Sequence, residues 1–338
     1  MRAARLRQRS HRGETGMSET LLSICIPTFN REAYLRRLLD TLLPAVERHR
    51  SKVSLLVLDN ASSDGTAALC QAYIQAGKPL RYQCNDRNLG PDANVIQSFE
   101  RVDSVYGWIL GDDEYVYEQT LDTVIETLER EELSLLYLKS ETCTETRLAD
   151  RKPRNQGIDH FSSSADFARP IGVYFTFISA LVFNKRQLLQ DPDFAGSIRQ
   201  GTWIGQMAWI LPLLRQGRRF ASSQACLIAA EPNNSSGGYR LVEVFGVNLR
   251  AQLDAFLPGE ARLKRLILHS AMWFLASFCS GGQADAGAEN PISALDQAFH
   301  DLPAYRLLVR PLLMYRSVAS RMCVKVICRF RKSALQLA

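Results

Sequence analysis

No uninterrupted apolar stretch in the 338 residues approaches the roughly 20 that a membrane-spanning helix requires, and the longest candidate, Ala271–Cys279, is too short. The first 16 residues are basic but lead into no apolar run, which argues against a signal peptide and makes Met17 a candidate start. Eight cysteines include no Cys-x-x-Cys pair, and histidines such as His160 and His269 form no metal-ligand spacing, so neither a disulfide frame nor a zinc site is expected. Cys25 and Cys226 sit in apolar runs, where a thiol acts as a small buried hydrophobe, and a reducing cytosol suits them. No Gly-x-Gly-x-x-Gly follows the first apolar run, which removes a nicotinamide-dependent dehydrogenase. Acids are missing altogether from Ala304–Ala338, which holds eight Lys and Arg.

What is present is globular: 46% hydrophobic and 22% charged residues, enough for one large domain or two ordinary ones. The net charge of +6 belongs to the ends. Met1–Gly16 carries +4 and Ala304–Ala338 carries +8, and subtracting both leaves −6 for the residues between.

The chain is organised around Trp108–Tyr117, an apolar run that delivers three consecutive acids, Asp112, Asp113 and Glu114. Such a run reads as a buried strand opening into a loop, and the carboxyl ends of strands are where open α/β sheets bind ligands. Adjacent carboxylates repel unless a cation or polar ligand sits among them. Hard divalent cations take one or two carboxylates plus substrate phosphates, so the cluster suggests a metal-bridged diphosphate. The competing reading is a solvated acidic turn before a helix.

Strands are expected at Leu21–Ile26, Val53–Leu58, Leu80–Gln83, the acid-bearing run, Leu133–Lys139, Phe175–Phe183 and Arg219–Ala229. Helices are expected at Arg31–Arg48, from the Asp59–Thr66 loop to about Ala76, and at Pro91–Val102, Glu118–Arg130 and Trp203–Arg215. Arg147–Phe161 and Asp191–Thr202 read as polar loops, and Glu231–Gly238 as a linker. Beyond it Tyr239–Phe256, Glu260–Cys279 and Ile292 to the end read as helix. The order strand, polar loop, helix is that of a nucleotide-binding βαβ unit. The expected organisation is a disordered basic tail over 1–20, an α/β domain over 21–232 and a helical region over 233–338.

Four stretches in this order resemble the family 2 glycosyltransferases of the GT-A fold: Ser23-Ile-Cys-Ile-Pro-Thr-Phe-Asn-Arg31, Leu58-Asp-Asn-Ala-Ser-Ser-Asp-Gly-Thr66, Asn88-Leu-Gly90 and Gly111-Asp-Asp-Glu114. The resemblance covers about 21–139. Glycine before the acids, and Asn88-Leu-Gly90 followed by Asn94, are similar to the branch that includes abequosyltransferases. It implies a Rossmann-like, mainly parallel mixed sheet flanked by helices, a C-terminal helical region, and transfer of a sugar from a nucleotide-sugar donor to a saccharide acceptor. A lipid-linked acceptor of a surface polysaccharide such as O-antigen or capsule, and a CDP-linked deoxyhexose donor, would suit that branch.

Carried over by position, the resemblance places Pro27, Thr28, Asn30 and Arg31 near the base or diphosphate. Arg31 could equally be an exposed helix-start residue. Asp59 would contact the base, with Asn60, Ser62 and Asp64 on the same edge and Asn88, Gly90 and Asn94 beside it; Asp64 also suits a helix cap. Asp113 takes the metal-binding position for Mg2+ or Mn2+, Asp112 faces ribose or donor sugar, and Glu114 stands where many relatives have aspartate. Inverting members carry a carboxylate base near a late helix, but Gly201–Met207 has no acid, and Gln206, which cannot be a base, is expected among the substrate-binding residues. Asp191, Asp193 and Glu231 are the neighbouring acids, and Asp193 is the expected base. Trp203 is a candidate platform for a sugar face, or a core residue.

The basic, acid-free tail is patterned to lie on an anionic membrane surface, or else to pack as a helix with a solvated face. It has no nucleic-acid-binding module. The location implied is the inner face of the cytoplasmic membrane. Rival readings are a nucleotidyltransferase of related fold, although Pro27–Arg31 lacks glycine, and a nucleotide-sugar-binding protein without a catalytic base.

Overall fold

The computed structural model describes residues 20–142, 157–192, 194, 198, 201–230, 240–280, 291–315, 322–324 and 326–327. The expected basic tail (but for Thr20), the 231–238 linker and most of the final basic segment lie outside them, as does the start of the helical region at 233.

The N-terminal half is a run of βα units: β1 (Leu22–Thr28), α1 (Glu32–Arg48), β2 (Val53–Asp59), α2 (Thr66–Gln75), β3 (Arg81–Cys84), α3 (Pro91–Arg101) and β4 (Tyr106–Ile109). β1 lies parallel to both β2 and β4, and β2 parallel to β3. The chain continues through a two-residue β5 (Tyr115–Val116), α4 (Thr120–Arg130), β6 (Leu135–Tyr137), β7 (Ser140–Thr142), β8 (Ile158–Phe161), α5 (Ser164–Ile171), β9 (Leu181–Asn184), α6 (Lys185–Leu189), α7 (Met207–Gln216), β10 (Phe220–Ser223) and β11 (Ile228–Ala230). The main sheet runs β3-β2-β1-β4-β9-β6-β10-β8, and β5-β11-β7 form a small second sheet. β9 is antiparallel to both neighbours and β8 is an antiparallel edge, so the sheet is mixed.

Both faces of the sheet are covered, which is why β1 and β2 are apolar without alternation. One face packs on Leu35, Leu38, Leu39, Leu42 and Val46 of α1 and on Val124 and Leu128 of α4. The other carries Phe99, Phe183 and Trp209, whose stacked rings continue without a break into the C-terminal helices. Those helices are α8 (Leu249–Phe256), entered through a π turn at Glu243–Asn248, then α9 (Ala261–Ser280), α10 (Pro291–Phe299) and α11 (Arg310–Met314).

Several expectations need correction. Phe175–Phe183 is not one strand: the chain makes 3-10 turns at Gly172–Thr176 and Ile178–Ala180 before β9. Polar pairing overrides the apolar run there, because buried Ser179 bonds the acid-bearing loop and its carbonyl accepts from Trp108 Nε1 at 2.7 Å. The helix expected from Trp203 starts at Met207, since Gly201 (φ 84°) and Trp203 (φ 61°) are left-handed. Residues 158–161, expected in a loop, form β8, and Arg219–Ala229 splits between two sheets. No helix runs unbroken from Ile292: α10 ends at Phe299, ahead of Pro303, which disfavours helical backbone at the preceding residue.

Candidate functional site

The carboxyl ends of β1, β2 and β4 open onto a cleft of about 2000 Å³. Pro27, Thr28, Asn30, Arg31, Asn60, Asn88, Asn94, Asp112, Asp113, Glu114, Trp203 and Gln206 line it; Asp59, Ser62, Asp64 and Gly90 are not part of the lining. Asp193 lies outside the described residues.

Asp59 is fully buried. It accepts from Tyr82 Oη at 2.6 Å and from Ser62 N and Oγ at 2.9 and 2.6 Å, so its carboxylate shapes the loop. Ser62 Oγ also accepts from Asn30 N, while Asn30 Oδ1 accepts from Ser63 N, locking the β1 and β2 loops together with Asn30 and Ala61 at positive φ. Asp64 takes the cap role: its two oxygens accept from Thr66 N, at the start of α2, and Glu32 N, at the start of α1.

Asn60 anchors the neighbouring turn. Its Nδ2 donates to Asn88 Oδ1 (2.7 Å) and Gly90 O (3.2 Å), and its Oδ1 accepts from Leu89 N and Asn85 Nδ2. Asn85 also donates to Asn94, whose own Nδ2 bonds Leu58 O. Gly90, at φ 87° and ψ 160°, turns the chain into Pro91 at the head of α3, in a region only glycine populates readily.

The acidic loop is held from three sides. Arg31 Nη1 reaches Asp113 Oδ2 at 2.7 Å and Asp112 Oδ1 at 3.1 Å. Arg37 Nη2 donates to the Asp113 carbonyl at 2.8 Å while its guanidinium lies 3.8 Å from the centre of the Tyr115 ring. Ser179 Oγ accepts from Gly111 N and donates to Glu114 Oε1 at 3.0 Å. A Cβ on Gly111 would lie 3.1–3.2 Å from the Asp113 and Glu114 carboxyl oxygens, which accounts for glycine before the acids. Burial raises the Asp112 pKa to about 6, against the pull of Arg31 and with Asp113 adding to it. Burial and the Asp113 charge raise Glu114 to about 8, opposed by Ser179.

Arg37, Ser179 and Asn85 escaped the sequence reading. Arg37 had one signal, since Arg31, Tyr34 and Arg37 recur at threefold spacing on α1. Asp92 was missed too: its carboxylate accepts from Gly201, Thr202 and Gly205 N–H groups at 2.6, 3.1 and 3.3 Å, presenting Trp203, 41% exposed, at the cleft. Gln206 lines the cleft while buried, and its Nε2 donates to Thr176 O at 2.7 Å. Asp191 is turned to Gln216 and does not line the cleft.

Among the described residues no three His, Cys, Asp or Glu side chains form a ready cation cage. The acid loop nonetheless fits a divalent ion completed by diphosphate oxygens. It offers two adjacent carboxylates and Glu114 Oε2, a buried oxygen with no hydrogen-bond partner.

Residues 23–190 match the sequence profile described as "Glycosyl transferase family 2". Over 102 residues the chain is 35% identical to the abequosyltransferase RfbV of Salmonella typhimurium, covering 30% of each chain. Over 61 residues it is 41% identical to the lipopolysaccharide core biosynthesis glycosyltransferase LpsC of Rhizobium meliloti, covering 18% of this chain and 20% of that one. The chain thus spans less than a third of the length of these relatives. Among solved structures, TarS 1–349 of S. aureus in complex with UDP-GlcNAc superposes with a TM-score of 0.61 at 15% identity, over 94% of this chain and 90% of that one. The mannosyltransferase PcManGT from Pyrobaculum calidifontis, in complex with GDP-Man and Mn2+, gives 0.50 at 16% identity, over 92% and 87%.

Proposed function

Through residues 23–190 the chain belongs to glycosyltransferase family 2, with the GT-A fold, and on that premise we propose that it moves a sugar from a nucleoside-diphosphate donor to a saccharide hydroxyl. The observation that carries this reading is the convergence of Thr28, Asn60, Asp112, Asp113 and Glu114 in one cleft at the strand ends. Pro27, Thr28, Asn30 and the Asn60–Asn88–Asn94 edge take the nucleoside, with Asp59, Ser62, Asp64 and Gly90 holding that edge in shape. Asp112 faces ribose or donor sugar. Asp113 and Glu114 would hold a Mg2+ or Mn2+ ion, which would supply Lewis-acid neutralisation of the departing diphosphate.

The acceptor hydroxyl attacks the anomeric carbon, the bond from that carbon to the diphosphate oxygen breaks, and the configuration inverts. The hydroxyl proton passes to a carboxylate, for which Asp193 is the candidate. Trp203, held at the cleft by Asp92, offers an aromatic face to a sugar ring.

The acceptor we propose is a lipid-linked saccharide of bacterial surface polysaccharide. Two observations support it. The named relatives are an abequosyltransferase and a lipopolysaccharide core enzyme. The C-terminal sequence is rich in Lys and Arg without acids, and among its described residues Leu307 (81%), Tyr315 (80%) and Met322 (61%) are exposed, a pattern suited to peripheral contact with anionic lipid at the inner face of the membrane. No helix among the described residues is long and apolar enough to cross a membrane.

Calorimetric titration of CDP, UDP, GDP and dTDP, with and without Mn2+, tests the donor site in wild type and Asp113→Ala. Metal-dependent binding of one nucleotide that disappears in the variant supports the reading and names the donor base. Absence of binding to every nucleotide removes it. Donor hydrolysis without acceptor separates a working transferase from a protein that only binds donor.

A further inference from the structure

We propose that Arg31 is the resident cation of the donor site, neutralising Asp112 and Asp113 when no donor is bound and giving its place to the metal only as a diphosphate arrives; the inference rests on the donor reading above. One nitrogen, Nη1, makes both ion pairs, and it lies on Asp113, the carboxylate assigned to the metal. A guanidinium and a divalent cation cannot share that oxygen without strong repulsion, because at such separations like charges cost far more in a half-buried cleft than in water. Metal alone must therefore either bind the second carboxylate oxygen against the Arg31 charge or displace Arg31 from both ion pairs without offering it a new partner. Metal with a diphosphate need not, because the phosphate oxygens give the displaced guanidinium a new, bidentate partner.

The local structure permits the exchange. Arg31 is the N-cap residue of α1, follows the left-handed Asn30, and lines the cleft with its side chain 24% exposed. The shape of the acid loop does not depend on it, because Arg37 holds the Asp113 carbonyl and Ser179 holds Gly111 and Glu114. Arg31 can leave while the loop backbone and the Glu114 carboxyl keep their own partners. The consequence is positive coupling: metal and nucleotide bind together far better than either binds alone.

The test is Mn2+ titration followed by electron paramagnetic resonance of the free ion, without nucleotide, on wild type, Arg31→Met, Arg31→Lys and the site-free control Asp113→Ala. Thermal melting in chelator first establishes that each variant is folded, and Arg31→Lys serves if the methionine variant is not. Arg31→Met should bind Mn2+ alone at least about tenfold tighter than wild type, Arg31→Lys should fall between them, and Asp113→Ala should abolish the gain. In the presence of Mn2+, Arg31→Met should lose at least about tenfold in nucleotide affinity. Unchanged or weaker Mn2+ binding in Arg31→Met would overturn the exchange. So would nucleotide binding that needs no metal and vanishes in Arg31→Met, which would make Arg31 the sole diphosphate cation. Absence of nucleotide binding by wild type instead sinks the donor reading, and the Mn2+ titration still decides whether Arg31 guards the acids.

Discussion

Replacing Glu114 by glutamine should stabilise the protein in a pH-dependent way. Glutamine preserves the shape of the side chain and can still accept from Ser179 Oγ, so the change removes only the titrating charge. Burial and Asp113 raise the Glu114 pKa from 4.5 to about 8 in the folded protein. Below about pH 4.5 the group is protonated in both folded and unfolded chains and contributes no pH dependence. As pH rises from there the unfolded chain releases its proton while the folded one retains it. Wild type therefore loses stability relative to Glu114→Gln by about 1.4 kcal/mol per pH unit, levelling off above about pH 8. The whole window amounts to a few kcal/mol, with about 5 kcal/mol as its ceiling. Urea unfolding of both proteins in chelator at half-unit steps from pH 4.5 to 9 measures the difference. A gap that stays flat, or that closes as pH rises, would refute the assignment of Glu114 as a buried acid held neutral. Adding Mn2+ and the cognate nucleotide at pH 8 should narrow the gap.

Gly90→Ala forces a side chain into a glycine-only backbone region and should cost about 2 kcal/mol in thermal unfolding, with weaker nucleotide binding because Asn60 is anchored on the Gly90 carbonyl. Asp92→Ala strips the acceptor from three N–H groups of the 201–205 loop; a loss of about 2 kcal/mol in stability and a raised acceptor KM with little change in donor affinity are expected. Trp203→Gly relieves a left-handed tryptophan, so stability should hold or rise by about 1 kcal/mol while acceptor KM worsens. A destabilised variant with unaltered kinetics would contradict that. Arg37→Met removes the bond to the Asp113 carbonyl and the stack on Tyr115, and should lower stability by about 2 kcal/mol and weaken metal-dependent nucleotide binding.

The βα order of the first half was legible because β1 and β2 are continuous apolar runs and α1 repeats its leucines on one face, signals that need no distant partner. The strand-end acids were legible for the same reason: three carboxylates in a row after a buried run are conspicuous whatever surrounds them. Errors gathered where a distant polar group decides the backbone. Ser179 breaks the Phe175–Phe183 run because it must meet Gly111 and Glu114, some 65 residues earlier in the chain. Asp92 delays α7 by holding the loop before it, from more than 100 residues away.

Local sequence, then, determined the parallel half of the sheet, the family motifs and the position of the acidic cluster, since short-range periodicity and strand-end chemistry are written in consecutive residues. Tertiary structure alone decided which polar side chains face the cleft and which are used up in holding it. Asp59 and Asp64 proved committed to hydroxyls and backbone N–H groups, while Arg31 was brought onto Asp112 and Asp113. A buried charge must find its partner wherever the fold provides one, and that partner is set by the packing of β1, α1 and β4 rather than by neighbours in sequence.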